Sequence, residues 1–306
     1  MNLRLPKAIR ICEVGPRDGL QNERTSLSVA EKVELIEQAT AAGARCVEIG
    51  AFVSLKAVPA MADTDEVARR MHRLADVEYR ALVANLAGLK RGLAAGISKV
   101  KLTASASETH SLRNLGRTPN EVMRDFSECV SFARANALSA SGAISTAFGC
   151  PYEGDVPLAR VRVLLEDFLR LGVTELSLSD TTGMANPSQV ELYCTRLRAE
   201  YPAVQWTLHF HNTRGMGLAN VLAGMLAGVT SFDASFAGLG GCPFAPGATG
   251  NIATEDLVHM AQAMGVDTGY DLERLLALGH RVQELVKHST DSAMLRVSAA
   301  ATPNKE

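Results

Sequence analysis

Short apolar, β-branched runs alternate along the chain with longer segments in which apolar residues recur at helical spacing. This alternation predicts parallel strands that are each followed by a helix. Eight runs have the length and composition of buried strands. They are Ile9–Val14, Arg45–Phe52, Tyr79–Asn85, Lys99–Ala104, Ser139–Ala147, Glu175–Asp180, Thr207–His211 and Ser231–Phe236.

Capping residues and glycines support these boundaries. Helices are predicted over Val29–Ala42, with Ser28 as N-cap, and over Glu121–Asn136, entered through Thr118 and Pro119. Four glycines fall between a helix and the next strand, where a left-handed cap favours glycine. These are Gly43, Gly96, Gly172 and Gly228.

Eight strands favour closure into a TIM (β/α)8 barrel. A doubly wound sheet usually has about five to seven strands and a G-x-G-x-x-G turn after the first, whereas Gly15–Gly19 here reads GPRDG. We predict one TIM-barrel domain over residues 1–306, with the barrel at about 9–265, a C-terminal helix at about 271–288 and a polar tail at 299–306. The proportions of hydrophobic residues (47%) and charged residues (21%) suit a soluble globular protein with a sizeable core.

The charge pattern favours a small-molecule substrate. Lys plus Arg (31) nearly balances Asp plus Glu (33), and no long run of one sign would attract nucleic acid or a membrane surface. The sequence has no apolar stretch of signal-peptide length and no run of eighteen or more apolar residues. Six dispersed cysteines without a CxxC pair indicate reduced thiols. We therefore expect a cytoplasmic enzyme, and a homo-oligomer (dimer or tetramer), since barrels often pair through their outer helices.

A candidate metal site is predicted where the strands end, because reactive groups of TIM barrels gather there. His209 and His211 are two apart on a strand, so both imidazoles face one side. Asp18 and Asn251 would add two oxygens. Such a set without thiolate favours Mg²⁺ or Mn²⁺, although zinc stays open. The alternative is a pair of hydrogen-bonded polar residues at the barrel rim.

Further polar residues lie at the same predicted end of the barrel. Arg17 precedes Asp18 directly, which is expected where negative charge must be held beside a metal, and the alternative is a structural ion pair. Glu48 and Asp180 are predicted to orient Arg17 or the ligands, unless they belong to a hydrogen-bonded layer inside the barrel. Cys242 follows a glycine-rich segment that can form a mobile loop over the barrel mouth; otherwise it is a packed thiol.

The segment Glu13–Glu23, EVGPRDGLQNE, closely resembles the first-strand signature of 3-hydroxy-3-methylglutaryl-CoA (HMG-CoA) lyases. That family belongs to a wider group of metal-dependent aldolases and synthases that share an Arg-Asp first strand. Other segments resemble the family in its order and spacing, over about residues 9 to 290. These are Phe52–Ser54, Gly149–Gly154, Ser177 with Asp180–Thr181, His209 with His211, Ala237–Pro243 and Gly250–Asp256.

The resemblance implies a TIM-barrel lyase that acts on an acyl-CoA thioester with a divalent cation as cofactor. It implies that Asp18, His209, His211 and Asn251 hold the cation. The cation would chelate the C3 hydroxyl and a carboxylate oxygen of the substrate, which lowers the pKa of the hydroxyl. Asp18 or His209 would then remove the hydroxyl proton as a base.

The resemblance also implies roles for residues beyond the ligands. Arg17 would stabilise the negative charge that develops on the thioester oxygen, and Cys242 would protonate the departing acetyl-CoA carbanion. Ser177 and Asp180 would position the substrate and the base. Substrate binding is predicted for Arg17, Gln21, Asn114, Ala143 and Ser177.

Two segments depart from the family pattern. On strand five the lyases commonly carry a tyrosine, preceded two positions earlier by an arginine, whereas this chain has Ala143 and Ser141. The smaller side chains could admit an acyl group larger than that of HMG-CoA. Asn212–Arg214 follows His211 in place of an aspartate and a tyrosine. The acyl group and the catabolic route, leucine degradation or another, therefore stay open.

Two alternatives come from other classes. Condensing enzymes that act on 2-oxo acids, such as isopropylmalate and homocitrate synthases, resemble the chain at Arg17, Asp18 and the histidine pair. They usually carry a long regulatory extension and lack the Cys242 loop, and no such extension is predicted after the ninth helix. A barrel that binds metal or CoA without catalysis would be indicated by loss of a ligand or of Arg17, yet each position is filled.

Overall fold

The structure, a computed structural model, describes residues 3–54, 56–241 and 250–301. Its eight parallel strands close into a barrel in the order of the sequence, which confirms the predicted TIM barrel. Several strands end earlier than predicted, and His211 pairs with Asn251 in an isolated bridge beyond its strand. The strands are β1 (Arg10–Glu13), β2 (Cys46–Phe52), β3 (Glu78–Val83), β4 (Lys99–Ser105), β5 (Ser139–Ser145), β6 (Glu175–Asp180), β7 (Gln205–Phe210) and β8 (Ser231–Ala234).

Helices surround this barrel on its outer side. None of those in the described segments combines the length and apolarity needed to cross a membrane. They are α1 (Val29–Ala41), α2 (Thr64–Arg70), α3 (Leu86–Ala94), α4 (Glu108–Leu115), α5 (Pro119–Ala135), α6 (Leu158–Arg170), α7 (Pro187–Glu200), α8 (Gly217–Leu226), α9 (Thr254–Ala263), α10 (Leu272–Val286) and α11 (Ala293–Ala301).

The predicted helix signals hold in the structure. Ser28 and Thr118 each form a capping box with the glutamate three residues later, at the start of α1 and α5. The four glycines predicted to cap helices all have positive φ angles. The five cysteines in the described segments are buried and free, as expected for reduced thiols.

Helix α11 was not predicted, and its last residues fall where the sequence indicated the start of a polar tail. The carboxylate of Asp256 accepts hydrogen bonds from the backbone N–H groups of Ala293 and Met294. This cap lies far from α11 in the sequence, so no local signal could reveal it. The alanines at the end of α11 favour continuation of the helix.

The apolar core lies between the strands and the helices, where Phe52, Phe168 and Phe232 are completely buried. The interior of the barrel is different. Glu48 and Asp233 are fully buried there and form ion pairs with the buried ammonium of Lys101. Polar groups inside the barrel thus lie directly beneath the carboxyl ends of the strands.

Arg17 and Asp18 lie in a short helical turn, Gly15–Gly19, directly after β1. The carboxylate of Glu13 fixes this turn by accepting hydrogen bonds from Gly15 N (2.7 Å) and Phe236 N (2.9 Å). Burial raises the pKa of Glu13 to about 7, although these hydrogen bonds oppose the shift. The turn after β1 is thereby joined to the segment that follows β8.

Candidate active site

Three of the predicted metal ligands converge at the mouth of the barrel. The Oδ2 atom of Asp18 lies 3.7 Å from Nε2 of His209 and 3.5 Å from Nε2 of His211. Each residue offers one ligand atom, and these atoms lie within 4.8 Å of one another. The fourth predicted ligand, Asn251, donates a hydrogen bond of 2.8 Å from Nδ2 to Asp18 Oδ2. The structure thus brings all four predicted ligands together.

The cluster has the donor atoms that a hard divalent cation requires. Bonds of about 2.1 Å place neighbouring ligand atoms roughly 3 to 4 Å apart, which matches the distances from Asp18 to the two imidazoles. The side-chain oxygen of Asn251 is buried and has no hydrogen-bond partner among the described residues. An amide oxygen in that state is a suitable further ligand. The residues present therefore fit a divalent cation.

Asp233 determines which nitrogen of His209 carries the proton. Burial alone would raise the pKa of Asp233, but Lys101 and His209 hold it well below the ordinary value of aspartate. The ionised carboxylate only accepts, so the contact of 3.3 Å requires the proton on Nδ1 of His209. Burial also lowers the pKa of His209, which keeps the ring neutral. The lone pair of Nε2 is then directed towards Asp18.

Arg17 is held beside the cluster by two carboxylates. Its Nη1 lies 2.5 Å from Oδ1 of Asp18, and its Nε donates a hydrogen bond to Glu48. Burial disfavours the ionised form of Asp18, but Arg17 and the two histidines hold the pKa of Asp18 well below its usual range. The third guanidinium nitrogen, Nη2, forms no hydrogen bond with the described residues. It is therefore available to a ligand.

A cavity of about 400 Å³ opens over Arg17, Asp18 and the two histidines. Its volume falls in the range typical of small-molecule sites. Strands β4 and β5 and helix α5 also contribute to its lining. These residues include Thr103, Ala143, Ser145, Val122 and Phe126, and the predicted substrate-binding residues Gln21 and Asn114 also line the cavity.

Asp180 lies at the end of β6, where it accepts a hydrogen bond of 2.8 Å from Met184 N. Burial raises its pKa to about 6, while backbone hydrogen bonds and the nearby His211 oppose the shift. Its role in orienting Arg17 or the ligands stays a prediction. Ser177 lies 3.4 Å from Ser179, and of the two only Ser179 lines the cavity. Cys242 lies outside the described residues.

Three buried residues of this region are not among the predicted site residues. Lys101 and Asp233 are described above, and both are charged residues within predicted buried strands, which was an available signal. His110, on α4, lines the cavity and lies 3.1 Å from Ser105 through Nδ1. Its Nε2 is buried without a hydrogen-bond partner in the described segments, and burial lowers its pKa. Nothing in the sequence around His110 indicated this position.

The HMGL-like family model matches residues 8–282 of the chain. The chain belongs to the HMGL-like family. Among relatives in this family, it is 43% identical over 292 residues to the hydroxymethylglutaryl-CoA lyase YngG of Bacillus subtilis, covering 95% of this chain and 98% of the relative. It is 45% identical over 281 residues to the (R)-citramalyl-CoA lyase of Chloroflexus aurantiacus, covering 89% of each chain.

A solved member of the HMGL-like family has the same fold. It is an HMG-CoA lyase from Acinetobacter baumannii in complex with coenzyme A and 3-methylmalate, with a TM-score of 0.92 and 42% sequence identity. The match covers 98% of this chain and 97% of that chain. The predicted family and an HMG-CoA lyase-type reaction are confirmed by these similarities.

Proposed function

We propose that the protein is a divalent-metal-dependent carbon–carbon lyase that cleaves HMG-CoA, or a close 3-hydroxy-3-alkylglutaryl-CoA. The products are acetyl-CoA and acetoacetate, or the matching 3-oxo acid. The observation that carries the proposal is the position of Arg17 beside Asp18, His209 and His211 in one cavity. This arrangement joins a cation site to a fixed positive charge.

Asp18, His209, His211 and Asn251 would hold Mg²⁺ or Mn²⁺, because their oxygen and imidazole donors include no thiolate. When bound, the cation supplies Lewis acidity that lowers the pKa of the C3 hydroxyl. Asp18 is the proposed base for the hydroxyl proton, because His209 with Nδ1 protonated and Nε2 on the cation has no lone pair left to accept one. Asp233 keeps His209 in the tautomer that this site needs.

Arg17 would stabilise the enolate. When the C2–C3 bond breaks, its electron pair moves to C2 and the thioester oxygen, while C3 becomes a ketone. The Nη2 of Arg17 is free to donate to that oxygen, and the contacts with Asp18 and Glu48 fix the guanidinium in advance. A proton added at C2 then completes acetyl-CoA, and we assign this step to Cys242.

The wall of the cavity is compatible with substrates that carry different groups on C3. Ala143 pairs in register with Thr103 on β4, and both line the cavity. The space extends to Val122 and Phe126 of α5, which could contact an alkyl group. The relative named (R)-citramalyl-CoA lyase adds a second candidate substrate, which carries a carboxylate directly on C3. The substrate panel should therefore include both kinds of C3 group.

Acetyl-CoA release from a panel of thioesters tests the proposal. Purified protein with Mg²⁺ is incubated with HMG-CoA, with 3-alkyl homologues of increasing length, and with (R)-citramalyl-CoA. Release from HMG-CoA or a homologue supports the lyase assignment, and release from the citramalyl thioester alone favours the second candidate. The lyase assignment is contradicted if no thioester releases acetyl-CoA. If the protein instead consumes acetyl-CoA in the presence of pyruvate or 2-oxoglutarate, it is a synthase.

We further propose a homo-oligomer located in the cytoplasm and built from one catalytic domain per chain. Acetoacetate as product would suit leucine degradation. The five cysteines of the described segments are buried and free, which fits a reducing compartment. Light scattering coupled to gel filtration measures the assembly, and limited proteolysis tests the single domain. A monomeric mass would contradict the oligomer.

A further inference from the structure

Six side chains at and below the cavity form a closed path of ion pairs and polar contacts, here called the charged ring. The path starts at Asp18, alternates between carboxylates and basic side chains, and returns to Asp18. In order, the members are Asp18, Arg17, Glu48, Lys101, Asp233 and His209. The ring therefore contains two predicted metal ligands and the candidate catalytic arginine.

Lys101 is the member that closes the ring. Strand β4 lies on the opposite side of the barrel from β8, so the side chain crosses the interior to reach Asp233. Its Nζ lies 2.7 Å from Oδ2 of Asp233 and 3.3 Å from Oε2 of Glu48. One ammonium group thus contacts two completely buried carboxylates that come from different strands.

Each of these carboxylates holds a different part of the candidate site. Glu48 accepts the hydrogen bond from Nε of Arg17, and Asp233 accepts the one from Nδ1 of His209. If the ammonium is removed, both carboxylates lose a buried cationic partner at once. An unpaired buried charge is costly, so both carboxylates would shift or draw in water.

The charge balance supports an effect of Lys101 on turnover. With neutral imidazoles, the three carboxylates and two cations of the ring leave one negative charge. A divalent cation changes this to one positive charge, which suits a substrate whose reacting atoms become negative. Without Lys101, the ring with a bound divalent cation would have a net charge of zero.

We propose that Lys101 is a positioning residue that couples the metal site to the catalytic arginine. Through Asp233 it fixes the imidazole of His209 for the cation, and through Glu48 it fixes the guanidinium of Arg17 for the thioester oxygen. The alternative is an ion pair that serves only the stability of the barrel. The part concerning turnover rests on the proposed function, whereas the part concerning metal affinity does not.

The test compares Lys101→Met with Lys99→Met. Lys99 is on the same strand, and its Nζ contacts two carboxylates, Glu78 at 3.0 Å and Glu175 at 2.5 Å, which belong to neither the ring nor the cavity. Mn²⁺ affinity is measured by calorimetry on the metal-free protein, and kcat is measured at saturating Mn²⁺. Lys101→Met should weaken Mn²⁺ binding about 10- to 100-fold and lower kcat at least about tenfold. Lys99→Met should leave both near wild-type values.

Weaker Mn²⁺ binding with an unchanged kcat, or a lower kcat with unchanged Mn²⁺ binding, would overturn the coupling. A loss of thermal stability with both quantities unchanged would overturn it as well. A wild-type protein that has no turnover on any thioester would contradict the proposed function instead, and the Mn²⁺ measurement would still decide the metal half. Asp233→Asn offers a second route if Lys101→Met does not fold. In that background, adding Lys101→Met should change the Mn²⁺ affinity less than about twofold, because Lys101 acts on the cation through Asp233. A further tenfold loss would contradict the proposed path.

Discussion

The carboxylate of Asp233 lies 3.3 Å from Nδ1 of His209, and the two residues are paired in register on the neighbouring strands β8 and β7. This contact leaves the Nε2 lone pair directed towards Asp18, as a metal ligand requires. The same carboxylate is neutralised by Lys101 inside the barrel. The ligand geometry at the barrel mouth thus depends on groups in the layer below it.

We predict that Asp233→Asn weakens divalent-metal binding about 10- to 100-fold. The amide can donate to Nδ1 of His209, which would favour the tautomer with the proton on Nε2. Calorimetric titration of the metal-free protein with Mn²⁺ measures the effect. Asp167→Asn changes an aspartate on the outer helix α6 and serves as control. Wild-type affinity in Asp233→Asn would refute the role of this carboxylate.

The motif around Arg17 and Asp18, the histidine pair and the eight strands could all be predicted from the sequence, because each has a local pattern. The convergence of Asp18, His209, His211 and Asn251 also followed, since strand ends meet at one face of a barrel. The match of motifs to a known family supported the same set.

The layer below the ligands could not be predicted in the same way. Lys101 meets Glu48 and Asp233 only because the closed barrel brings distant strands around one axis, and no spacing in the sequence encodes that contact.

Replacing Arg17 should affect turnover more than metal binding. Arg17→Met removes the donor to the developing enolate, and we expect kcat to fall by about 10²- to 10³-fold or more. Arg17→Lys retains a charge but not the planar group that contacts Asp18 and Glu48 together, so it should recover only part of the loss. Steady-state acetyl-CoA release measures both. The control is Arg162→Ala, which removes a surface pair with Glu200; equal losses in Arg17→Met and the control would contradict the assignment.

The size of the side chain at position 143 should determine how strongly the enzyme discriminates between substrates with small and large groups on C3. Ala143→Tyr fills the wall of the cavity, so kcat/KM for the longest 3-alkyl homologue should fall about tenfold or more relative to HMG-CoA. Ala143→Ser adds little volume and is the matched control. Parallel decreases for all thioesters in Ala143→Tyr would show that Ala143 does not face the C3 group.

Stability should depend on pH through Glu255, whose pKa burial raises from 4.5 to about 8. The folded state binds the proton more tightly than the unfolded state, so this contribution is complete below pH 4.5 and is lost as pH rises towards 8. Its size is about 1.4 kcal/mol for each unit of pKa shift. Glu255→Gln should therefore lose less unfolding free energy than wild type between pH 5 and 8 in urea titrations. The exposed Glu284→Gln should follow wild type, and identical slopes in all three proteins would exclude the effect.

The central claim is that Asp18, His209 and His211 bind one divalent cation beside Arg17. Anomalous diffraction from a crystal grown with Mn²⁺ tests it most directly, because the peak locates the ion without reference to activity. One strong peak is expected within about 2.5 Å of a ligand atom from each of the three residues. A protein saturated with Mn²⁺ that shows no peak there, or a peak that one of the three does not reach, would contradict it.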